Sequence, residues 1–183
     1  ARYRLKLKSF KLNQQLSEVT ESEENLIFIS FSSDDGLVVE KVLNKLREKT
    51  SAYYWVQKNI RGGQEAIPEI KNKIDESVGS LIFFSKNSED SHFINTYEIP
   101  GIKARKENEE NYVIIPIRLG RTELGYIEEF SELQTIPSKS KTIGRLSDEE
   151  LEVEINKIIK SLPKNLQKLP ATKESKGDVS RIL

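Results

Sequence analysis

The sequence has no cysteine and a single histidine, His92. Without cysteine the chain can form neither disulfides nor thiolate metal sites, and one histidine cannot supply a multi-histidine metal site. A catalytic triad built on histidine is disfavoured for the same reason. We therefore expect no bound metal, and the absence of cysteine is typical of a cytoplasmic protein.

An excess of charge of either sign is also missing, because 29 lysines and arginines balance 29 aspartates and glutamates. A neutral chain has no global field to attract nucleic acid or an anionic membrane. No apolar run approaches the roughly 20 residues of a membrane span, and no signal-peptide pattern is present. We expect no nucleic-acid contact and no membrane association. Since the chain begins at Ala1 and has no methionine, we expect it to be part of a longer protein.

Short apolar runs alternate with amphipathic segments along the chain. Continuous apolar runs predict strands buried on both faces, here at residues 26–30, 53–56, 81–84 and 113–117, with a short fifth strand at 133–136. Helical spacing follows at 37–46, 67–74 and 151–159. Residues 88–105 predict a loop and an irregular helix interrupted at Pro100-Gly101. This alternation predicts an α/β fold, a flavodoxin-like doubly wound parallel sheet of about five strands flanked by helices.

The amino-acid composition divides the chain into three parts. Residues 1–24 are polar and predict a linker or the end of a preceding domain, residues 25–162 form the predicted domain, and residues 163–183 predict a tail or linker. Asp34 or Asp35 is a candidate cap for the first helix, and Ser147 begins a capping pattern for the last one.

Polar side chains stand where the first and third strands end. In open α/β sheets ligands bind outside the carboxyl ends of the strands. We therefore predict a site where residues 30–36, residues 85–87 and the carboxylate of Glu98 converge. A phospho-receiver site requires an aspartate after the third strand, where this chain has Ser85. Neither a Gly-x-Gly-x-x-Gly pattern nor a P-loop is present.

The order and spacing of these segments resemble a TIR (Toll/interleukin-1 receptor) domain over roughly residues 25–162. The resemblance rests on residues 28–35, the Trp55 strand, the loop Arg61-Gly62-Gly63, residues 81–87 and residues 91–98. Residues 98–102 and 114–117 look especially like bacterial TIR domains fused to sensor modules in anti-phage systems. Many enzymatic relatives carry tryptophan four residues before the catalytic glutamate, whereas this chain has Ile94.

The resemblance implies an NAD+ nucleosidase that cleaves the bond between nicotinamide and ribose, with Glu98 as the catalytic residue. It implies no cofactor, because NAD+ is the substrate, and activation by self-association with other TIR domains under a sensor module in the same chain or complex. Arg61, Gly62 and Gly63 correspond to the assembly loop. Candidate substrate-binding residues are Ser30, Phe31, Ser32, Ser33, Asp34, Trp55, Ser85, Asn87, Ser91 and Phe93.

Two other functions remain open at this level. A TIR scaffold that only recruits other TIR domains needs no catalytic carboxylate. The same pocket can also bind a nucleotide without cleaving it, or support a related nucleoside transfer. The direction of the Glu98 carboxylate, toward the end of the first strand or toward solvent, discriminates between enzyme and scaffold.

Overall fold

The protein is described by a computed structural model over residues 19–57, 66–122, 130, 132–138 and 141–168. Within these residues the sheet has four strands, which are β1 (Leu26–Ser30), β2 (Tyr53–Trp55), β3 (Gly79–Phe84) and β4 (Val113–Arg118). Their order is β2-β1-β3-β4, and every neighbouring pair is parallel. The predicted doubly wound parallel sheet is confirmed.

Helices connect the strands and follow the last one. They are α1 (Gly36–Arg47), α2 (Ile67–Glu76), α3 (Lys86–Glu89), α4 (Ile99–Asn108) and α5 (Asp148–Ser161). A π-helical segment, Ile94–Glu98, runs directly into α4, and short 3-10 turns occupy Ser33–Asp35, Ile143–Arg145 and Lys164–Leu166. No helix among the described residues is both long and apolar enough to cross a membrane.

Both faces of the sheet are buried, which explains why its strands read as continuous apolar runs. Side chains alternate between faces along a strand. One face packs against α1 and α5 and includes Ile27, Ile29, Leu81, Phe83, Ile115 and Ile117. The other face packs against α2 and α4 and includes Phe28, Ile82 and Phe84. Ser30 has the same parity as Phe28, so its side chain belongs to the α2–α4 face.

The close approach of β3 to β4 requires the glycine that begins β3. A Cβ atom at Gly79 would lie 2.7 Å from the carbonyl oxygen of Val113, a backbone atom that cannot move aside. Because this oxygen belongs to the backbone of β4, an alanine at this position would push β3 and β4 apart.

Two predicted elements differ from the structure. Residues 133–136 form no fifth strand, and Ile136 makes one isolated parallel bridge to Ile117. The helix is not interrupted at Pro100-Gly101, because Pro100 lies in the first turn of α4. Proline has no N–H to donate, and the helix continues through Pro100 directly after the wider π-turn.

Hydrogen bonds fix the start of α5 and the segment that follows this helix. Ser147 and Glu150 form a reciprocal capping box at the start of α5, as the sequence pattern predicts. Beyond α5 the chain remains packed, since Leu166 is buried in the α1–α5 core and its carbonyl oxygen accepts a hydrogen bond from the Ser51 amide. The described chain is thus packed against the core as far as Leu166.

Candidate active site at the carboxyl edge of the sheet

The carboxyl ends of β1 and β3 lie side by side because the two strands are parallel neighbours. Ser30 ends β1, and Ser85 follows β3 directly. Polar groups from segments far apart in sequence therefore meet at one edge of the sheet. Two separate hydrogen-bonded groups occupy this edge.

The first group joins Ser30 to Glu98. The Ser30 hydroxyl donates a 2.5 Å hydrogen bond to Oε2 of Glu98, across 68 positions of sequence. Ser30 is fully buried, and Glu98 is only 5% exposed. The carboxylate thus faces the end of β1 rather than solvent. Such burial is unusual, because most glutamates in folded proteins are exposed to solvent.

Burial changes the acidity of Glu98. Removal of the carboxylate from water disfavours its charged form and raises the pKa of Glu98 from 4.5 to about 7, while the hydrogen bond from Ser30 acts in the opposite direction. Roughly half of the Glu98 side chains are therefore ionised near neutral pH. A carboxyl with a pKa in this range can act as an anion or as a proton carrier under physiological conditions.

The π-helical segment sets the position of Glu98. Ile94 accepts a hydrogen bond from the Ile99 amide, the five-residue spacing of a π-turn. Ile94 is buried among the α2–α4 core residues, so it anchors the segment while Glu98 reaches Ser30 at the sheet edge. Single π-turns of this kind are frequent at functional sites. In this chain the position that is tryptophan in many enzymatic relatives is thus a core residue.

The second group joins α1 to the end of β3 through Asp35. The Ser85 hydroxyl donates a 2.5 Å hydrogen bond to one Asp35 carboxylate oxygen, and the side-chain amide of Asn87 donates a 2.8 Å bond to the other. Asp35 occupies the N-cap position of α1, as the sequence predicts, but its side chain makes no capping hydrogen bond. Ser85 also caps α3 in a reciprocal capping box with Ser88.

The loop after β1 presents its candidate residues at different depths. Phe31 is half-buried and packs against the α1–α5 core, on the opposite face of the sheet from Ser30. Ser32 is half-buried, and its carbonyl oxygen accepts the Asp35 amide at 2.9 Å. Ser33 and Asp34 are exposed. The fold brings these four residues to the correct edge, and their predicted contacts with substrate stay predictions.

Trp55 lies on the same face of the sheet as Ser30 and Glu98. Its indole ring stacks on Phe28 with centroids 5.5 Å apart and an interplanar angle of 20°. Trp55 pairs with Phe28 in register, and Ser30 follows two residues later. Strand geometry therefore puts the backbones of Trp55 and Ser30 about 8 Å apart. The half-buried indole is both a packing residue and a wall near the Ser30–Glu98 pair.

Ser91 and Phe93 shape the segment before Glu98. The Ser91 hydroxyl accepts a hydrogen bond from the Ile94 amide at 3.3 Å, which fixes the start of the π-helical segment. Phe93 is half-buried, and its ring contacts Tyr97 with centroids 5.2 Å apart. The predicted assembly loop, Arg61, Gly62 and Gly63, lies outside the described residues.

Asp35 and Gly120 also belong to this edge of the sheet, and neither is among the predicted substrate-binding residues. Asp35, rather than its exposed neighbour Asp34, links the two strand ends. A Cβ atom at Gly120 would lie 3.5 Å from the Ser85 Cβ, so the chain leaving β4 passes close to the Asp35 group. The Asp-Asp pair was a visible signal in the sequence, but only the 3-10 turn Ser33–Asp35 determines which carboxylate turns inward.

Comparisons with known proteins agree with this architecture. The chain is similar in structure to a chain from the crystal structure of the RPS4 and RRS1 TIR domain heterodimer, with a TM-score of 0.52 and 16% sequence identity. That match covers 75% of this chain and 97% of the other. A comparison with curated proteins found no match. A family profile described as TIR domain matches residues 27–150, most of the chain. The chain therefore belongs to the TIR domain family.

Proposed function

We propose that this TIR domain is an NAD+ glycohydrolase that uses Glu98 as its catalytic carboxylate. The buried hydrogen bond between Ser30 and Glu98 at the carboxyl edge of the sheet is the observation that carries the proposal. Assembly through an exposed surface does not require a carboxyl group that is desolvated and aimed at the strand end. An enzyme that stabilises positive charge needs a carboxyl group placed in this way.

The chemistry requires one carboxylate rather than the usual pair. Ordinary glycoside hydrolysis needs an acid to protonate the leaving oxygen. Nicotinamide in NAD+ is a cationic pyridinium and departs as a neutral base with the electrons of the C1′–N bond. Ionised Glu98 accepts hydrogen bonds from the ribose hydroxyls and stabilises the oxocarbenium-like charge. Water then attacks C1′, so NAD+ and water give ADP-ribose, nicotinamide and a proton.

Burial of the site supports activation by assembly. Ser30 and Glu98 are both enclosed, so a ribose reaches the carboxylate only after neighbouring segments move. If the open state is populated only in an oligomer, mass action keeps a dilute domain nearly inactive. We include in the proposal that self-association opens this site.

One surface of the domain offers apolar side chains for such self-association. Leu37 and Val38 on α1 are 92% and 36% exposed, and Val153 on α5 is 55% exposed. The two helices are neighbours, joined by salt bridges from Lys41 to Asp148 and from Lys45 to Glu152. The similarity to a TIR domain that crystallised as a heterodimer supports a second TIR domain as the occupant of this surface.

The biological setting completes the proposal. Residues 98–102 and 114–117 resemble bacterial TIR domains fused to sensor modules. We assign the domain the role of effector in a bacterial anti-phage immune system, in the cytoplasm, with a sensor module in the same chain or complex.

The test is NAD+ consumption by the domain at high concentration and when artificially clustered. Glu98→Gln keeps the shape of the side chain and should lower turnover at least about 100-fold, by analogy with other preorganised stabilising groups. Glu107→Gln, an exposed glutamate on α4, is the matched control and should leave turnover unchanged. Leu37→Asp should lower activity at intermediate concentration, and forced clustering should restore it.

The second candidate function is a non-catalytic scaffold for TIR–TIR assembly, which the exposed Leu37 and Val153 favour on their own. If the clustered, demonstrably assembled domain consumes no NAD+, the scaffold function replaces the enzyme. If it binds NAD+ without releasing nicotinamide, the site is a nucleotide-binding site. Loss of assembly in Leu37→Asp supports this surface under either function.

A further inference from the structure

A second concave site lies at the carboxyl end of β4, away from the Ser30–Glu98 pair. Its volume is about 320 Å³, and the residues that line it are Arg118, Arg121, Thr122, Lys141, Thr142, Arg145, Leu146 and Glu150. Four of these eight side chains are cationic and one is acidic. Such a concentration of positive charge is unexpected in a chain whose net charge is zero.

The single carboxylate in this cationic pocket is already engaged. Glu150 accepts a 2.7 Å hydrogen bond from Lys141 through one oxygen and a 3.0 Å bond from the Ser147 amide through the other. Lys141 and Glu150 therefore largely neutralise each other. Among the described residues no carboxylate forms an ion pair with the guanidinium groups of Arg118, Arg121 and Arg145, so these three arginines supply the remaining positive charge of the pocket.

Two hydrogen-bond donors of the pocket, on Arg118 and Thr122, lie buried. Among the described residues, neither Nε of Arg118 nor the hydroxyl oxygen of Thr122 has a hydrogen-bond partner. A buried donor left unpaired costs free energy, so such groups usually mark a missing ligand or water. Guanidinium and hydroxyl donors that converge on one cavity suit the oxygens of a phosphate group.

The backbone around the pocket is held in place. The Arg118 amide donates a 2.8 Å hydrogen bond to the Ile136 carbonyl, and the Gly144 amide donates a 3.0 Å bond to the Leu119 carbonyl. The second bond ties the 3-10 turn that carries Arg145 to the end of β4. Because both walls are joined before any ligand arrives, little conformational entropy is lost when an anion binds.

We propose that this cationic pocket binds the phosphate group of a small phosphorylated ligand, with Arg118, Arg121 and Arg145 as the charged donors. The volume lies at the lower end of the range of about 300–1,000 Å³ for small-molecule sites. A nucleic-acid backbone would need a long basic surface, whereas the positive charge here is confined to one concavity. A small phosphorylated molecule, such as a nucleoside monophosphate, matches both the size and the charge.

The pocket is distinct from the proposed NAD+ site. The end of β4 is separated from the end of β1 by β3, so the two sites stand two strand spacings apart, about 10 Å. No residue of the pocket contacts Glu98 through a hydrogen bond within the described part of the chain. Binding of phosphate at the pocket therefore requires neither an ionised Glu98 nor NAD+ cleavage.

Isothermal titration calorimetry with inorganic pyrophosphate and AMP tests the proposal, with adenosine as the unphosphorylated probe and about 150 mM KCl to screen non-specific attraction. The unmodified domain should bind pyrophosphate and AMP, and it should not bind adenosine. Arg145→Gln and Arg121→Gln should each weaken binding about 10-fold, since each removes a charge-assisted hydrogen bond. Both arginines are exposed, so these variants should fold, which circular dichroism checks.

Three variants make the test specific. Arg47→Gln removes the same charge at the last residue of α1, outside the pocket lining, and should leave affinity unchanged. Glu150→Gln keeps the capping geometry but frees Lys141, and should strengthen binding several-fold. Glu98→Gln should have no effect.

Absence of pyrophosphate binding would overturn the proposal, and so would equal losses in Arg145→Gln and Arg47→Gln. A loss confined to Glu98→Gln would assign the phosphate to the proposed NAD+ site instead. Failure of NAD+ cleavage leaves the outcome here unchanged, because the readout is binding alone.

Discussion

Replacement of Glu98 by glutamine should stabilise the domain in alkaline solution while it abolishes the proposed activity. The folded protein holds the Glu98 proton up to a pKa of about 7, because burial disfavours the carboxylate. In the unfolded chain the same group ionises at 4.5. Between these values the folded state binds more protons than the unfolded state, so the free energy of unfolding falls as pH rises.

The magnitude follows from the two pKa values. Each pH unit between 4.5 and about 7 is worth about 1.4 kcal/mol, so the buried carboxylate costs about 3 kcal/mol of stability above neutral pH. The cost is absent below the unfolded pKa, where both states are protonated. Glu98→Gln removes the ionisation, so its stability relative to the parent should rise by about this amount between about pH 4.5 and pH 8.

Urea denaturation at a series of pH values measures this difference. The fluorescence of Trp55, the single tryptophan, and far-ultraviolet circular dichroism provide two independent probes. For a domain of this size about 3 kcal/mol corresponds to roughly 6–12 °C in melting temperature. Glu107→Gln is the control, because removal of an exposed carboxylate involves no desolvation. A Glu98→Gln effect that is the same at acid and alkaline pH would refute the argument that burial raises the pKa of Glu98.

Three further predictions follow from individual contacts. Ser30→Ala removes the hydrogen bond that lowers the pKa of Glu98, so this pKa should rise above about 7. The pH profile of kcat/KM for NAD+ should then move to higher pH, and an unchanged profile would contradict a role for Ser30 in setting the pKa. Gly79→Ala should lower the free energy of unfolding by more than the about 1–3 kcal/mol that overpacking usually costs, because the new Cβ meets backbone. Denaturant titration measures the loss, and near-parental stability would mean that β3 and β4 separate easily. Ser147→Ala should cost about 1 kcal/mol through loss of the α5 cap, with Ser161→Ala at the other end of the helix as the control.

Much of the fold could be predicted from local patterns in the sequence. The apolar runs at β1, β3 and β4 indicated buried parallel strands because each has the length of a typical strand and lacks the alternation of polar and apolar residues. The start of α5 was readable from Ser147 to Glu150, since a capping box is encoded within four residues. Residues 133–136 resembled a strand equally well, yet a single bridge forms there, because pairing with β4 depends on tertiary placement.

The candidate site could be predicted only in part from the sequence. The position of Glu98 after the third strand suggested that it would lie at the carboxyl edge. Which oxygen it would meet, and how deeply it would be buried, depended on the π-turn that begins at Ile94. The inward turn of Asp35 instead of Asp34 depended in the same way on a 3-10 turn.

By itself the sequence determined the alternation of strands and helices, the balance of charge and the absence of thiol chemistry. These properties depend on residue type and on spacing over a few positions. Only the tertiary structure decided that Ser30 would bond to Glu98 across 68 positions, and that three arginines from two separate segments would line one cavity. Contacts and desolvation are properties of groups brought together in space, so the acidity of Glu98 and the charge of the cationic pocket arise only when the chain has folded.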